Sequence, residues 1–218
     1  MRNSQPISIA AGLATITALA VLFLSTSELP PHTDRAAHAA AGRMLAEEAV
    51  RLLEKGGQIH VVTRDTGDFS QPAVDILFAS FQKAVHRARA SIGKIRSLEV
   101  DPLRLIEVPS SDFFEMIHRA QAGDVIVSMM GPPLLSEQQR VQLGRIKPRV
   151  VAFCSGSMPA QIDLRRVFEQ GVLDAAVVTR HSGQRPGRGA RPESDGPRFQ
   201  TVTAATVGSL YRAATTSP

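Results

Sequence analysis

No tryptophan, one tyrosine and one cysteine occur among the 218 residues. Aromatic side chains amount to only 5%. That is too few for the stacking platforms on which single-stranded nucleic acids are held, so no nucleic-acid partner is expected. A lone cysteine, Cys154, excludes an internal disulfide framework and any multi-cysteine metal site. The histidines (His32, His38, His60, His86, His118 and His181) form no pair at metal-ligand spacing, so no metal is expected. Neither G-x-G-x-x-G nor a Walker loop occurs, which leaves dinucleotide and nucleotide cofactors unsupported. The formal charge of +5 draws much of its excess from one tail segment, so it says little about the rest of the chain.

What the chain does have begins at its N-terminus. Pro6 to Leu24, "PISIAAGLATITALAVLFL", carries no charge. At 1.5 Å per residue it spans roughly 28 Å as a helix, close to the thickness of a bilayer core. Arg2 precedes it, while Glu28 and Asp34 follow against one Arg35. This bias favours an N-terminus inside and an exported remainder. Two readings of residues 1–27 stand together: a retained membrane anchor, or a signal peptide cut after Ser27, where Ser25 and Ser27 are small. No cysteine follows the apolar run, which excludes a lipid-modified N-terminus. The expected location is the cell envelope, on the periplasmic side of the inner membrane or free in the periplasm.

Residues 28–57 read as a linker broken by Pro30 and Pro31, then a helix ended by Gly56-Gly57. From Gln58 to Arg180 two segment types alternate. β-rich runs fall at 59–63, 103–108, 124–129, 149–153 and 174–179, and "IRSLEV" (95–100) is a further strand candidate. Between them lie helical patterns. One carries Val74, Leu77, Phe78, Phe81 and Val85 on one face, with Ser70 as N-cap and Pro72 in the first turn. Another covers about 111–122, with Asp112 and Glu115 in its first turn. A third opens with the capping-box pair Ser136 and Gln139 and stops at Gly144. A fourth shows Leu164, Val167 and Phe168 before Gly171. The strand runs are nearly all apolar, as in strands covered on both faces. The expected fold is α/β: a three-layer, doubly wound, mostly parallel sheet of about five strands. Residues 181–198, rich in Gly, Pro and Arg, have the composition of a disordered spacer. Residues 199–218 form an edge strand or a tail.

In an open parallel sheet, ligands sit beyond the carboxyl ends of the strands. That rule selects the loops "TRDTGD", "PSSD", "SMMGPP", "CSGS" and "TR" (179–180). Their hydroxyls, backbone amides and helix N-termini suit a polar or anionic small molecule. The candidate ligand contacts are Thr63, Arg64, Asp65, Asp68, Ser110, Ser128, Ser155 and Ser157. The same residue types also cap helices and turn chains, so each has a structural role available as well.

No catalytic set emerges. "GDFS" (67–70) resembles the nucleophile block of GDSL-type hydrolases, but Phe69 splits it and no Asp-x-x-His follows. In "CSGSM" a cysteine stands where a nucleophile elbow has its first glycine. Cys154 ends an apolar strand, where a small buried residue is the ordinary occupant. A phospho-receiver lacks its strand-end aspartate here, since "DVIVSMMG" ends in Ser128 and Met129.

The stretches "IHVVTRDTGDFSQPAVDILFASFQKAV", "GDVIVSMMGPPLL" and "PRVVAFCSGS" resemble one lobe of a type I periplasmic solute-binding protein. The resemblance spans roughly Gln58 to Arg180 and is one of fold. It implies a first strand ending in a polar loop, a long helix after it, and ligand contacts at later strand ends. The expected function is an exported, membrane-tethered binding or interaction domain without catalysis and without a cofactor. Two alternatives stand beside it. One is an exported hydrolase using Asp65, Asp68 or Cys154. The other is a structural component of an envelope complex, as a homodimer or with another envelope protein.

Overall fold

The computed structural model describes residues 33–65, 71–99, 108–144, 147–156, 158–180 and 198–210. The N-terminal apolar run, Asp68, Ser70, Ser157 and the spacer at 181–197 lie outside the described residues. Among the described residues, no helix is long and apolar enough to cross a membrane.

Among the described residues, six strands form one sheet in the order β2-β1-β3-β4-β5-β6. They are β1 (Ile59–Asp65), β2 (Ile92–Glu99), β3 (Val125–Ser128), β4 (Arg149–Cys154), β5 (Ala175–Thr179) and β6 (Phe199–Val202). The first five pair in parallel, and β6 returns antiparallel along β5. The helices are α1 (Arg35–Leu52), α2 (Pro72–Arg87), α3 (Ser110–Arg119), α4 (Glu137–Leu143), α5 (Met158–Gln161) and α6 (Leu164–Glu169).

The apolar strand runs are explained by cover on both faces. Ile59, Val61, Val125, Val127, Val151 and Val177 pack under α1 and α2. Their neighbours Val62, Ile126, Val150, Ala152 and Val178 pack under α3 and α6. The chain steps from β1 to β2 in one direction with α2 on the first face. It then steps back across β1 to β3 and onward to β5, with its helices on the second face. Reversing both direction and face keeps one hand of crossover. The reversal leaves a switch point between β1 and β3, where a doubly wound sheet opens a crevice.

β2, at Ile92–Glu99, covers the strand candidate at 95–100 as far as Glu99. Of the run at 103–108, Val108 is a buried non-strand residue, and 103–107 lie outside the described residues. β2 is an edge strand, half-covered and polar, with Lys94, Arg96, Ser97 and Glu99 along it. Charges of this kind keep an edge from pairing with other chains. "FQTV" does return as an edge strand, β6.

The packed unit also reaches beyond 58–180 at its N-terminal side. Ala41, Leu45, Ala46 and Ala49 of α1 are buried against the sheet and α2. Gly42 sits where the two helices come closest: a Cβ there would lie 2.3 Å from the Leu77 carbonyl oxygen. Of the expected helix ends, the Ser136–Gln139 capping box and the stop at Gly144 are both present. At α2 the cap position belongs to Gln71, whose side chain makes no capping bond, and Pro72 opens the helix.

At the amino end of the sheet, Asp124 acts as a staple. Its carboxylate accepts the backbone N–H of Gln58 and of Gln121, each at 2.8 Å, and meets His60 Nε2 at 3.2 Å. His60 Nδ1 accepts the N–H of Lys94 at 3.0 Å, so the neutral ring carries its proton on Nε2 and donates to Asp124. Burial works against the Asp124 charge, but these donors prevail and hold its pKa below the usual carboxylate range.

Candidate functional site

A cavity of about 110 Å³ opens at the carboxyl end of the sheet, beside the β1–β3 switch point. Arg64 comes from the end of β1, and Gln71, Ala73 and Val74 come from the start of α2. Met129 and Met130 follow β3, and Phe153 and Ser155 lie at the end of β4. His38 enters from the first turns of α1, which runs down from this end of the sheet.

Each polar group is held by its local structure. Arg64 Nη1 donates to Gln71 Oε1 at 3.4 Å, which ties the strand end to the start of the helix. His38 Nδ1 donates to the Asp34 carbonyl at 2.8 Å, leaving Nε2 as the ring's remaining polar atom. The ring packs edge-on against Phe199, at a centroid separation of 6.1 Å. Asp34 caps α1 through the Ala37 N–H, and that bond is the main reason its pKa is lowered. Ser128 is fully buried, and its hydroxyl accepts the Met130 N–H at 3.3 Å, which shapes the turn after β3. Met129 N–H donates to the Val62 carbonyl at 2.9 Å, so this turn begins locked to β1.

Of the residues singled out from sequence, Arg64 and Ser155 line the cavity. Thr63 is buried in β1, and Ser128 lies beneath the turn that carries Met130. Asp65 is exposed at the end of its strand. Ser110 is exposed at the first position of α3 and does not line the cavity. Asp68 and Ser157 lie outside the described residues. Sequence reasoning missed His38, Gln71, Met129, Met130 and Phe153. The two methionines belong to a loop that the strand-end rule selects, and Gln71 lies just past another, at the start of α2. His38 required knowing that α1 joins the sheet.

Cys154 is fully buried, and desolvation pushes its thiol up to about 12. It packs among the apolar residues beneath α6 and offers no thiolate at neutral pH. No group of three metal-ligating side chains occurs among the described residues.

A larger concavity of about 530 Å³ lies at the other end of the sheet, near Lys147, Arg149 and Asp174. Asp174 is already engaged there, by Arg149 at 3.0 Å and by the Val150 N–H at 2.8 Å. It lies at the amino end of the strands, where this sheet has no switch-point crevice, so size alone does not make it the site.

Solved structures match the chain at probability 1.00, among them three at a TM-score of 0.50 or above. At the level of fold, the chain resembles sugar-binding proteins. One is an arabinose binding protein from Geobacillus stearothermophilus, at 15% identity and TM-score 0.51 over 80% of this chain and 63% of that one. Another is a periplasmic ribose ABC transporter protein from Conexibacter woesei, at 13% identity and TM-score 0.51 over 80% and 60%. A third is a sugar-binding protein of a sugar ABC transporter from Bacillus halodurans, at 12% identity and TM-score 0.50 over 80% and 64%. The matched part spans about three fifths of each of those chains. No family model matches the sequence, and no curated protein matches it. Identities this low carry the fold and not the ligand.

Proposed function

We propose that the protein is an exported binding domain that holds a small polar molecule at the carboxyl end of its sheet, without catalysing a reaction. The observation that carries this reading is the cavity at the β1–β3 switch point. There, Arg64, Gln71, His38 and Ser155 converge on a wall formed by Met129, Met130 and Phe153. Few polar groups set against an apolar wall is the usual make-up of a ligand pocket. The likeness to sugar-binding folds supports the same class of activity. Arg64 and Ser155 are the direct contacts, and Ser128 and Thr63 position the strand ends. Export and a periplasmic location rest on the uncharged run Pro6–Leu24, which serves as anchor or signal.

Two experiments test this reading. Thermal-shift screening of the full-length protein against sugars, nucleosides and small anions should find compounds that raise the melting temperature saturably. Arg64→Ala combined with Ser155→Ala should remove that rise. A flat response across all three classes sinks the small-molecule reading. Fusing alkaline phosphatase after residue 218 tests export: enzyme activity is expected in intact cells, and an inactive fusion overturns it.

A further inference from the structure

We infer that the ligand of this cavity is an anion, a carboxylate with a short or sugar-like body, and not a neutral sugar. The inference rests on the binding reading above and narrows it. Three features point the same way.

The first is charge. Arg64 brings a permanent positive charge, and none of the described residues lining the cavity is an aspartate or glutamate. The one hydrogen bond Arg64 makes among the described residues goes to the neutral amide of Gln71, at 3.4 Å. Among the described residues, that long bond to an amide leaves most of the guanidinium's donor fork unspent.

The second is the balance of donors and acceptors. Gln71 spends its oxygen on Arg64, so its NH₂ is what remains to offer. The start of α2 faces the cavity through Ala73 and Val74. The Val74 N–H is already satisfied by the Gln71 carbonyl at 2.9 Å, and Gln71 makes no side-chain cap. Among the described residues no acceptor takes the Ala73 N–H, which lies at the positive end of a 16-residue helix. A ligand here meets donors on the Arg64, Gln71 and Ala73 sides and one acceptor, His38 Nε2, which a hydroxyl on the body of the acid can fill. A neutral sugar presents hydroxyls that must donate as well as accept, whereas a carboxylate only accepts.

The third is size and shape. About 110 Å³ is a few times the roughly 30 Å³ that one water occupies in the liquid. That volume takes a carboxylate head with a short body, or the acid end of a sugar acid. Met129, Met130 and Phe153 supply an apolar face for the carbon skeleton.

The test pairs each acid with a neutral molecule of the same shape: lactate with lactamide, and galacturonate with galactose. Calorimetric titration of the full-length protein at low ionic strength should show at least one acid binding about tenfold or more tightly than its neutral partner. Arg64→Gln should collapse that ratio towards one. Arg64→Lys, which keeps the charge, should retain a preference for the acid, and this separates loss of charge from loss of fold. Equal or tighter binding of the neutral member overturns the inference while leaving the binding reading intact. So does an acid preference that survives Arg64→Gln. If neither pair binds, the inference fails. If the wider screen of sugars, nucleosides and anions is then also flat, the binding reading falls with it.

Discussion

Replacing Gly42 with alanine sets two known effects against each other in one residue. Gly42 lies inside α1, where alanine is favoured over glycine by about 1 kcal/mol from helix propensity alone. The structure predicts the opposite sign. A Cβ at this position would stand 2.3 Å from the Leu77 carbonyl oxygen and 3.0 Å from the Phe81 backbone nitrogen, both on α2. Carbon-to-oxygen contacts normally begin near about 3.3 Å, so the helices must part by about 1 Å. Neither atom can turn away, because both belong to backbone. A gap of that size forfeits about a quarter to a half of each dispersion contact it opens. The contacts affected join Ala41, Leu45 and Ala46 to Leu77 and Phe81. Overpacking of this kind costs typically about 1–3 kcal/mol, and backbone-to-backbone contact belongs at the upper end of that range. After the gain in propensity is subtracted, the expected loss is about 2 kcal/mol. In a protein of this size that corresponds to a melting temperature lower by about 4–8 °C. Urea titration followed by far-ultraviolet circular dichroism measures it, with an unchanged slope showing that the same surface unfolds. A Gly42→Ala protein about 1 kcal/mol more stable than the parent would refute the reasoning, because propensity alone would then govern and α1 would not be packed on α2.

Two further outcomes follow from buried polar and sulfur groups. Asp124→Ala strands the Gln58 and Gln121 N–H groups and the His60 ring, and should cost about 2–4 kcal/mol in the same assay. The Asp124 carboxylate titrates below its ordinary value near 3.8, so its contribution is complete above that pH and fades as pH falls through the folded value. Asp124→Asn should flatten that part of the acid-stability curve, and an unaltered curve would show that the staple does not form. Cys154, buried with its pKa pushed up to about 12, should resist a thiol reagent in the folded protein at neutral pH and react once unfolded by urea. Rapid labelling under native conditions would contradict its burial.

Much of the fold could be read from residue types because the parallel core leaves a plain trace. "HVVT", "DVIVSM", "RVVAF" and "DAAVVT" are apolar on successive residues, which only cover on both faces explains. Ser136, Gln139, Gly144 and Gly171 marked helix ends by local chemistry, and the structure uses them so. The second strand was harder to locate. At the sheet edge, β2 alternates exposed and half-covered residues, and a bulge between its pairings with Ile59 and Val61 breaks the alternation. The apolar run at 103–108 therefore reads as the stronger strand. α1 was hidden differently: it packs with Ala41, Gly42, Ala46 and Ala49, small residues that permit close approach but add little hydrophobic signal. Without α1 in the sheet, His38 could not be placed at the cavity. Arg64 and Ser155 were legible because the carboxyl-end rule depends on strand order alone.

The antiparallel return of β6 has a practical use. The Arg180 N–H donates to the Arg198 carbonyl at 2.8 Å, so the chain leaves the sheet and re-enters it at almost the same point. That point is at the carboxyl end of β5, the same end of the sheet as the cavity. Because the closure is fastened by β5 and β6, the length of chain between them is nearly decoupled from the stability of the fold. A fluorescent reporter spliced between Arg180 and Arg198 is therefore expected to leave the scaffold intact and, at the same end of the sheet as the cavity, to report the arrival of the ligand proposed for it.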